Sequence, residues 1–321
     1  MLDMAKHKKS KPAKLAPSNP TLGPTLAAMV REQAGLSWSR ARTLCVEGRV
    51  TLDGARCTDP TMRVDPGAVV AVDRHAPKLE TGPLAKSAIV YSDSDLVVVD
   101  KPAGMLTVAD AEGTTDTLAN HARTLLRKMG GRDGQLGVVH RLDKDTSGLM
   151  VFTRSASAQK NLALQFRAHD IERVYNAIVH GAVAAQRIET FLIMDRGDGL
   201  RGSHGLFRRA KADPPKDAKR SVTHVKVLEA LAGATVVECR LETGRQHQIR
   251  IHLSELGHPL VGERVYDRDY TGPVIDAPRT MLHARTLGFV HPRTGQRLSF
   301  EREPPEDFQA IVFSLPPGRG C

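Results

Sequence analysis

Aromatic residues are scarce, at 4% of the 321-residue sequence. A nucleic-acid surface that stacks many bases on aromatic rings is therefore not expected. Cysteine is also scarce: the four cysteines form no C-x-x-C pair, and no histidine follows them at zinc-finger spacing. This pattern argues against a cysteine-ligated zinc site and favours reduced thiols in a cytoplasmic protein.

Long apolar runs and nucleotide-binding loops are missing as well. No stretch reaches the roughly 18 consecutive apolar residues of a membrane-spanning helix, and the N-terminus has no apolar signal segment. No G-x-G-x-x-G opens a helix and no Walker loop occurs, so we expect no nucleotide cofactor. The histidines of the C-terminal half form no paired-ligand motif, so no metal is expected either. These histidines are His247, His252, His258, His283 and His291.

Positive charge, in contrast, is abundant. The sequence has 46 lysines and arginines against 36 acids, which gives a net charge of +10. Such an excess favours a polyanionic partner, either a nucleic acid or an anionic membrane surface. The low aromatic content favours contacts to phosphates and to nucleic-acid shape over base stacking. A solvated basic surface without a partner is the alternative interpretation.

Composition divides the chain into four segments. Residues 1–20 are rich in lysine and proline and predict a disordered basic tail. Residues 21–76 predict a small domain, and residues 77–88 carry prolines and a glycine among charges, as a linker does. Residues 89–321 are long enough for one larger domain.

The small domain has a recognisable order of elements. Leu26–Gln33 predicts a helix, and Ser37 is placed to cap a second helix over Trp38–Glu47. A strand over residues 49–52 and a closing strand over residues 69–72 follow.

The string LSWSRARTLCVEGRVTLDGARC within this domain resembles the small RNA-binding module named after the fourth protein of the small ribosomal subunit. The resemblance implies a small α/β RNA-binding domain whose polar and basic side chains contact RNA phosphates. An ordinary helix with exposed arginines is the alternative. The implied contacts are Ser39, Arg40, Arg42 and Arg49.

The larger domain alternates strands and helices on short connections. Neighbouring strands on short loops favour antiparallel pairing, so we predict an α+β fold with a mixed, largely antiparallel sheet. Predicted helices cover residues 117–129, 155–167 and 246–256. Predicted strands include residues 96–99, 149–152, 172–179, 221–229, 235–241, 281–291 and 296–300.

The segment HRLDKDTSG at residues 140–148 carries the most chemical information. It places Asp143 among cations and hydroxyls, in a turn between two apolar runs. A carboxylate kept ionised by a nearby cation can act as a nucleophile, and Arg141 is free to meet a phosphate. Asp145 is the competing carboxylate in the same turn.

Four further segments occur in a fixed order with this turn: KPAG at 101–104, RVYNAIVHG at 173–181, LETGRQHQIRIHL at 241–253 and PRTMLHA at 278–284. Together with HRLDKDTSG they resemble the RluA family of RNA pseudouridine synthases over residues 89–300. The resemblance implies the fold of that family, an isomerase activity and no cofactor. The family detaches uracil from its ribose, rotates the base and rejoins it through carbon five.

Residue roles follow from the same resemblance. Asp143 attacks the sugar or the base, and Arg250 is its ion-pair partner. Tyr175 is expected to stack on the flipped uracil and to help remove the proton from carbon five. Arg141 fills the space left by the base or binds a displaced phosphate, and further RNA contacts are expected at Arg245 and Lys101. For Lys101 an ordinary lysine at a strand end is an equal alternative.

The resemblance and the charge together predict an enzyme that modifies RNA, with ribosomal RNA of the large subunit as the preferred substrate. The sequence carries no signal for oligomeric state, and a monomer is the default expectation. Transfer RNA is the alternative substrate. A non-catalytic RNA-binding protein for ribosome assembly is the alternative class. A carboxylate-based glycoside hydrolase would need a second acid across a sugar cleft, and Asp145 is the one nearby acid. The sequence departs from the family pattern at Gln246 and Glu263, where Thr or Ser and Asp are more usual.

Overall fold

The computed structural model describes residues 23–58, 60, 62–76, 82–109, 113–130, 134–197, 199–206 and 213–318. It divides the chain into two compact units, residues 1–78 and residues 79–321. This division falls inside the segment predicted as a linker. The predicted basic tail at residues 1–20 lies outside the described residues.

The N-terminal unit packs two helices against a three-stranded sheet. The helices are α1 (Leu26–Ala34) and α2 (Trp38–Val46), and the sheet has the order β2-β1-β3. Its strands are β1 (Val50–Leu52), β2 (Ala55–Arg56) and β3 (Val70–Val72). The Ser37 hydroxyl caps α2 by accepting a hydrogen bond from the Arg40 backbone N–H at 3.2 Å, as the sequence predicts. Leu26, Val30 and Leu44 are among the residues that close a small apolar core.

The C-terminal unit is built on one large sheet of eleven described strands. Nine of them follow the order β10-β9-β11-β12-β8-β13-β7-β5-β4, while β14 pairs with β13 and β6 with β7. The strands are β4 (Ile89–Ser92), β5 (Leu96–Lys101), β6 (Gly137–Val138), β7 (Ser147–Thr153), β8 (Glu172–His180), β9 (Gln186–Ile193), β10 (Gly202–Ser203), β11 (Lys219–Leu231), β12 (Ala234–Leu241), β13 (Leu282–Val290) and β14 (Arg297–Glu301).

Four α-helices among the described residues accompany this sheet: α3 (Leu118–Lys128), α4 (Ala156–Ala168), α5 (Gln248–Glu255) and α6 (Glu306–Ser314). Helices α3 and α5 share an apolar core with one set of strand residues, and α4 packs into a second core. On β8 the residues Tyr175, Ala177 and Val179 all enter the core shared with α3 and α5. This face assignment confirms the alternation expected from a strand, in which successive side chains point to opposite faces. The α+β fold with a mostly antiparallel sheet is therefore confirmed.

The centre of the sheet contains its one parallel pair among the described strands. Strand β7 runs parallel to β13, with Ser147 opposite His283 and Gly148 opposite Ala284. On its other side, β13 places Ala284 opposite Tyr175 of β8. Because of this register, the start of β7 and the middle of β8 lie one strand apart. The turn that precedes β7 and carries Asp143 is thereby brought to the position of Tyr175.

Several elements differ from the prediction. The helix predicted over residues 246–256 begins only at Gln248, because His247 adopts the left-handed conformation with φ 59° and cannot belong to a regular helix. Gln246 is therefore not on a helical face with Arg250. The strand β9 and the helix α6 were not predicted, since the exposed polar residues of β9 obscure its alternation.

Gly148 is the residue that permits the parallel contact. Its φ is 108°, and a Cβ built there would lie 2.8 Å from the backbone carbon of Ala284 and closer still to its carbonyl oxygen. Both the conformation and the space therefore require glycine.

We expect Gly148→Ala to lower the free energy of unfolding of the C-terminal unit by about 2–5 kcal/mol, because backbone strain and a clash with fixed backbone add together. Urea denaturation followed by circular dichroism measures the change. Gly134→Ala is the matched control, since Gly134 is exposed and a Cβ there would have no heavy atom within 4 Å. Equal unfolding midpoints for the two variants would contradict the expectation.

Candidate active site

A cavity of about 820 Å³ opens at the position where the turn before β7 meets β8 and the start of α5. Its lining is strongly basic, with five arginines and a single acid among the described residues. The arginines are Arg141, Arg167, Arg173, Arg245 and Arg250, and the acid is Asp143. Leu142, Ile249 and Leu282 supply buried apolar wall. The cavity therefore suits an anionic ligand that has an apolar portion.

The turn that carries Asp143 is fixed through its backbone. The Thr107 hydroxyl donates to the Leu142 carbonyl at 2.9 Å and accepts from the Leu142 N–H at 3.2 Å. A guanidinium N–H of Arg279 donates to the Asp145 carbonyl at 3.0 Å, and Arg279 is itself paired with Asp307. These contacts hold the peptide units on both sides of Asp143 and so orient its side chain.

Lys101 has a different role from the RNA contact expected for it. The residue is completely buried, and its ammonium group donates to the carbonyls of Pro102, Lys144 and Thr146 at 2.9, 2.7 and 2.8 Å. Burial lowers its pKa to about 7, against the opposing effect of the Asp145 and Asp143 carboxylates. All three N–H groups are used inside the protein, so Lys101 cannot meet a phosphate. The expected RNA contact at Lys101 is wrong; this lysine holds the Asp143 turn.

His140 supports the turn from its other end. Its Nε2 accepts a hydrogen bond from the Val151 N–H at 3.1 Å, and its ring stacks on Phe166 with centroids 4.7 Å apart. Burial lowers the pKa of His140 to about 3, with Arg173 adding to the effect. The ring is therefore neutral at physiological pH, as its acceptor role requires.

Asp143 faces a cation that is itself anchored. Arg250 Nη1 lies 3.4 Å from Asp143 Oδ2, while Nε and Nη2 of the same guanidinium each donate to Glu263 at 2.7 Å. The Glu263 side chain is fully buried and also accepts backbone N–H groups from residues 264–266. Burial opposes the charge on Arg250, but Glu263 and Asp143 outweigh it and raise the arginine pKa. The fork of Arg250 is thus fixed on two sides by Glu263 and leaves one edge for Asp143.

His247 is the second polar neighbour of Asp143. Its Nε2 lies 3.7 Å from Asp143 Oδ1, and its Nδ1 lies 2.8 Å from the hydroxyl of Tyr266. Its left-handed backbone is a conformation that β-carbon-bearing residues adopt at an energetic cost and that clusters at functional sites. Burial lowers the pKa of His247, although Asp143 acts in the opposite direction.

Tyr175 lines the same cavity and is 8% exposed. Burial raises the pKa of its phenol, Arg173 lowers it, and Asp143 raises it further, so the net direction is upward. The phenol is therefore protonated at neutral pH and is not a ready base. Asp145, in contrast, is an exposed residue that does not line the cavity. The structure thus brings Asp143, Tyr175 and Arg250 together, along with Arg141 and Arg245, and leaves Asp145 outside.

The expected RNA contacts of the N-terminal unit differ in their availability. Ser39, Arg40 and Arg42 are exposed residues of α2. Arg49 is engaged within the protein, since its Nε lies 3.2 Å from Glu47 and its Nη1 donates to the Arg74 carbonyl at 2.7 Å. RNA binding by these four residues stays a prediction.

Away from the cavity, Asp93, Asp95 and His291 lie close enough to resemble a metal site. His291 Nε2 lies 2.7 Å from Asp93, and Arg293 pairs with Asp95 through two N–H groups. With its oxygen atoms engaged by cations and N–H groups, this group forms an ion-pair cluster that joins β4, β5 and the β13–β14 turn.

No helix in the described ranges combines the length and the apolar character that a bilayer crossing demands.

Several residues of the site were not assigned a role from the sequence. Arg173 and Arg279 stand inside segments that the sequence singled out, but their charge alone does not reveal a partner. Glu263 was noted only as a departure from the family pattern. Thr107 carries no signal, because its contact with Leu142 spans 35 residues of chain.

Comparisons with known proteins agree with this geometry. The family model described as RNA pseudouridylate synthase matches residues 95–255, and the S4 domain model matches residues 29–70. Ribosomal large subunit pseudouridine synthase D of Zymomonas mobilis is 36% identical over 298 residues, which cover 87% of this chain and 90% of that protein. The uncharacterized RNA pseudouridine synthase YlyB of Bacillus subtilis is 35% identical, again over 87% of this chain and 90% of that protein.

A solved structure supports the fold. Human RNA pseudouridylate synthase domain containing 4 superposes with a TM-score of 0.57 at 22% identity, over 71% of this chain and 92% of that one. Because the matches to the curated relatives extend over most of both sequences, the resemblance seen in the motifs is confirmed. The chain belongs to the RluA family of RNA pseudouridine synthases and carries an S4 domain in front of its catalytic unit.

Proposed function

We propose that this protein converts specific uridines of large-subunit ribosomal RNA to pseudouridine, with Asp143 as the nucleophile. The observation that carries the proposal is the position of Asp143, the one carboxylate among the described residues of a cavity lined by five arginines. The substrate is inferred from relatives that are named ribosomal large subunit pseudouridine synthase D. The basic charge of the chain and its S4 domain agree with an RNA substrate.

The reaction is an isomerisation in which atoms balance within one nucleotide. The bond from ribose C1′ to uracil N1 breaks, a bond from C1′ to carbon five forms, and the carbon-five proton leaves while N1 gains one. In the proposal the Asp143 carboxylate attacks the sugar or the base and is released at the end. Arg250, held by Glu263, faces the carboxylate and directs it into the cavity.

Access to the base requires that the uridine leave its stack, which costs a few kcal/mol. Arg141 is exposed at the cavity wall, where it can fill the vacated space or bind a phosphate. The Tyr175 ring offers an aromatic face for the flipped uracil. Leu142, Ile249 and Leu282 form apolar wall that limits water, which would otherwise hydrolyse the detached intermediate.

The raised pKa of Tyr175 changes one expectation. A phenol that is protonated at neutral pH cannot remove the carbon-five proton efficiently, so we assign Tyr175 to stacking and not to base catalysis.

We expect Asp143→Asn to reduce pseudouridine formation by roughly a thousandfold or more, since the amide is not a nucleophile. Release of tritium from RNA labelled at uracil carbon five measures turnover. Asp145→Asn is the matched control and should retain near-normal activity, because Asp145 is exposed outside the cavity. Normal tritium release by Asp143→Asn would exclude the proposed mechanism.

The substrate assignment has its own test. Pseudouridines are mapped in large-subunit ribosomal RNA and in transfer RNA of the host, with and without the gene. We expect one or more sites in large-subunit ribosomal RNA to be lost and to return when the wild-type gene, but not the Asp143→Asn gene, is restored. Loss confined to transfer RNA would overturn the substrate and leave the chemistry in place.

Glu263→Gln should slow the single-turnover rate by about a hundredfold, because Arg250 loses the anchor that aims it at Asp143 and a displacement of about 1 Å has an effect of that size. The change is measured at saturating enzyme with the mapped RNA. Glu255→Gln serves as the control, since Glu255 is another largely buried acid but bonds Ser203 outside the cavity. If Glu263→Gln reacts as fast as Glu255→Gln, the anchoring role is refuted.

A further inference from the structure

Arg173 is a buried cation that the proposed chemistry does not use. It belongs to β8, lies two residues before Tyr175, and is only 7% exposed. Residues two apart on a strand share a face, and both Arg173 and Tyr175 line the cavity.

Its partners inside the protein do not neutralise it. Nη2 reaches the Glu242 carbonyl at a long 3.3 Å, the guanidinium lies 5.7 Å from the Phe166 ring centroid, and the buried Nε has no hydrogen-bond partner. Among the described residues, no carboxylate lies within ion-pair distance of Arg173. Burial lowers the pKa of Arg173; Tyr175 opposes this effect, and the positive charge of Arg245 adds to it.

Two other buried arginines of the same unit lie next to carboxylates. Arg279 is also 7% exposed and bonds Asp307 with two N–H groups, and Arg196 is 8% exposed and faces Asp269 at 3.8 Å. A buried guanidinium without an anion is costly, so an unpaired one calls for an explanation. Its position in a cavity makes a bound anion the direct explanation.

The backbone around Arg173 is shaped to admit its side chain. Gly244 lies against the guanidinium: a Cβ built on Gly244 would overlap Nη1 and would lie 3.2 Å from Cζ. No left-handed conformation constrains Gly244, so the space it leaves for Arg173 is what the glycine contributes. Any larger residue would push the guanidinium out of its present place.

We infer that Arg173 binds a phosphate of the flipped uridine nucleotide, the one directly 5′ or 3′ of the target base. A planar guanidinium presents paired N–H groups that match phosphate oxygens. Tyr175 faces the base in the proposed function, and a cation two residues along the same strand face is placed beside the sugar–phosphate of that nucleotide. The inference rests on the proposed function, because it requires a uridine to enter the cavity.

The experiment uses the full-length protein and an RNA hairpin that carries the mapped uridine. Three versions of the hairpin are compared: unmodified, and with a neutral methylphosphonate on either the 5′ or the 3′ side of that uridine. Dissociation constants and single-turnover pseudouridine formation are measured for wild type, Arg173→Ala, Arg173→Lys and Gly244→Ala. Arg297→Ala is the control for net charge, since Arg297 lies on β14 and does not line the cavity.

For the wild type, one methylphosphonate should weaken binding by about tenfold to a hundredfold, the usual value of a hydrogen bond to a charged group. Arg173→Ala should bind unmodified RNA about as weakly as the wild type binds the RNA with that methylphosphonate. The same methylphosphonate should not weaken the binding of Arg173→Ala any further. Its plot of log affinity against log salt concentration should be shallower by about 0.7, as for one phosphate contact to a single strand. Arg173→Lys should recover part of the affinity, and Arg297→Ala should respond to both methylphosphonates as the wild type does.

Gly244→Ala should weaken binding through Arg173 alone, so the double variant Gly244→Ala, Arg173→Ala should bind no more weakly than Arg173→Ala. Undiminished methylphosphonate sensitivity in Arg173→Ala would overturn the inference and indicate a structural or base-contacting arginine. If wild type forms pseudouridine but neither methylphosphonate affects it, the phosphate contact is again excluded while the proposed function stands. If wild type forms no pseudouridine at all, the proposed function fails, and this inference fails with it.

Discussion

The carbonyl oxygens of the turn at residues 143–146 are bound by buried donors, and the site depends on this arrangement. Lys101 holds the carbonyls of Lys144 and Thr146, Arg279 holds that of Asp145, and the Thr146 N–H closes the turn onto the Asp143 carbonyl at 3.2 Å. A turn of this kind cannot relax toward solvent without breaking hydrogen bonds of two buried cations. The Asp143 carboxylate is therefore placed by backbone contacts, and its own oxygen atoms remain available for a ligand and for Arg250.

The basic residues of the unit fall into two groups with different physical roles. Arg279 and Arg250 are paired with buried or partly buried acids, and Lys101 with carbonyls, so their charges are satisfied within the protein. The second group, Arg141, Arg173 and Arg245, lines the cavity with no acid partner among the described residues. The first group builds the site rigidly, and the second gives it a positive potential that an RNA backbone can satisfy.

Much of the architecture could be predicted from the sequence. Local signals placed Ser37 as a cap and Tyr175 on a strand, because capping and strand formation depend largely on near neighbours. The motifs around Asp143 and Arg250 predicted which residues share the cavity. The roles of Lys101 and Glu263 could not be predicted in this way, because they depend on contacts with distant residues. The sequence around a lysine at a strand end is the same whether its ammonium group binds a phosphate or three backbone carbonyls.

The sequence by itself determined the family and the α+β class and singled out Asp143 as the candidate carboxylate, since each follows from residue types at short, fixed spacings. The tertiary structure decided what surrounds that carboxylate. Its neighbours come from parts of the chain that lie far apart, such as Arg250, which is 107 residues from Asp143. The parallel pairing of β7 with β13, made possible by the missing side chain of Gly148, brings these parts together. Whether a buried charge is matched by an acid or left for a ligand depends on distances through space, and no local pattern encodes them.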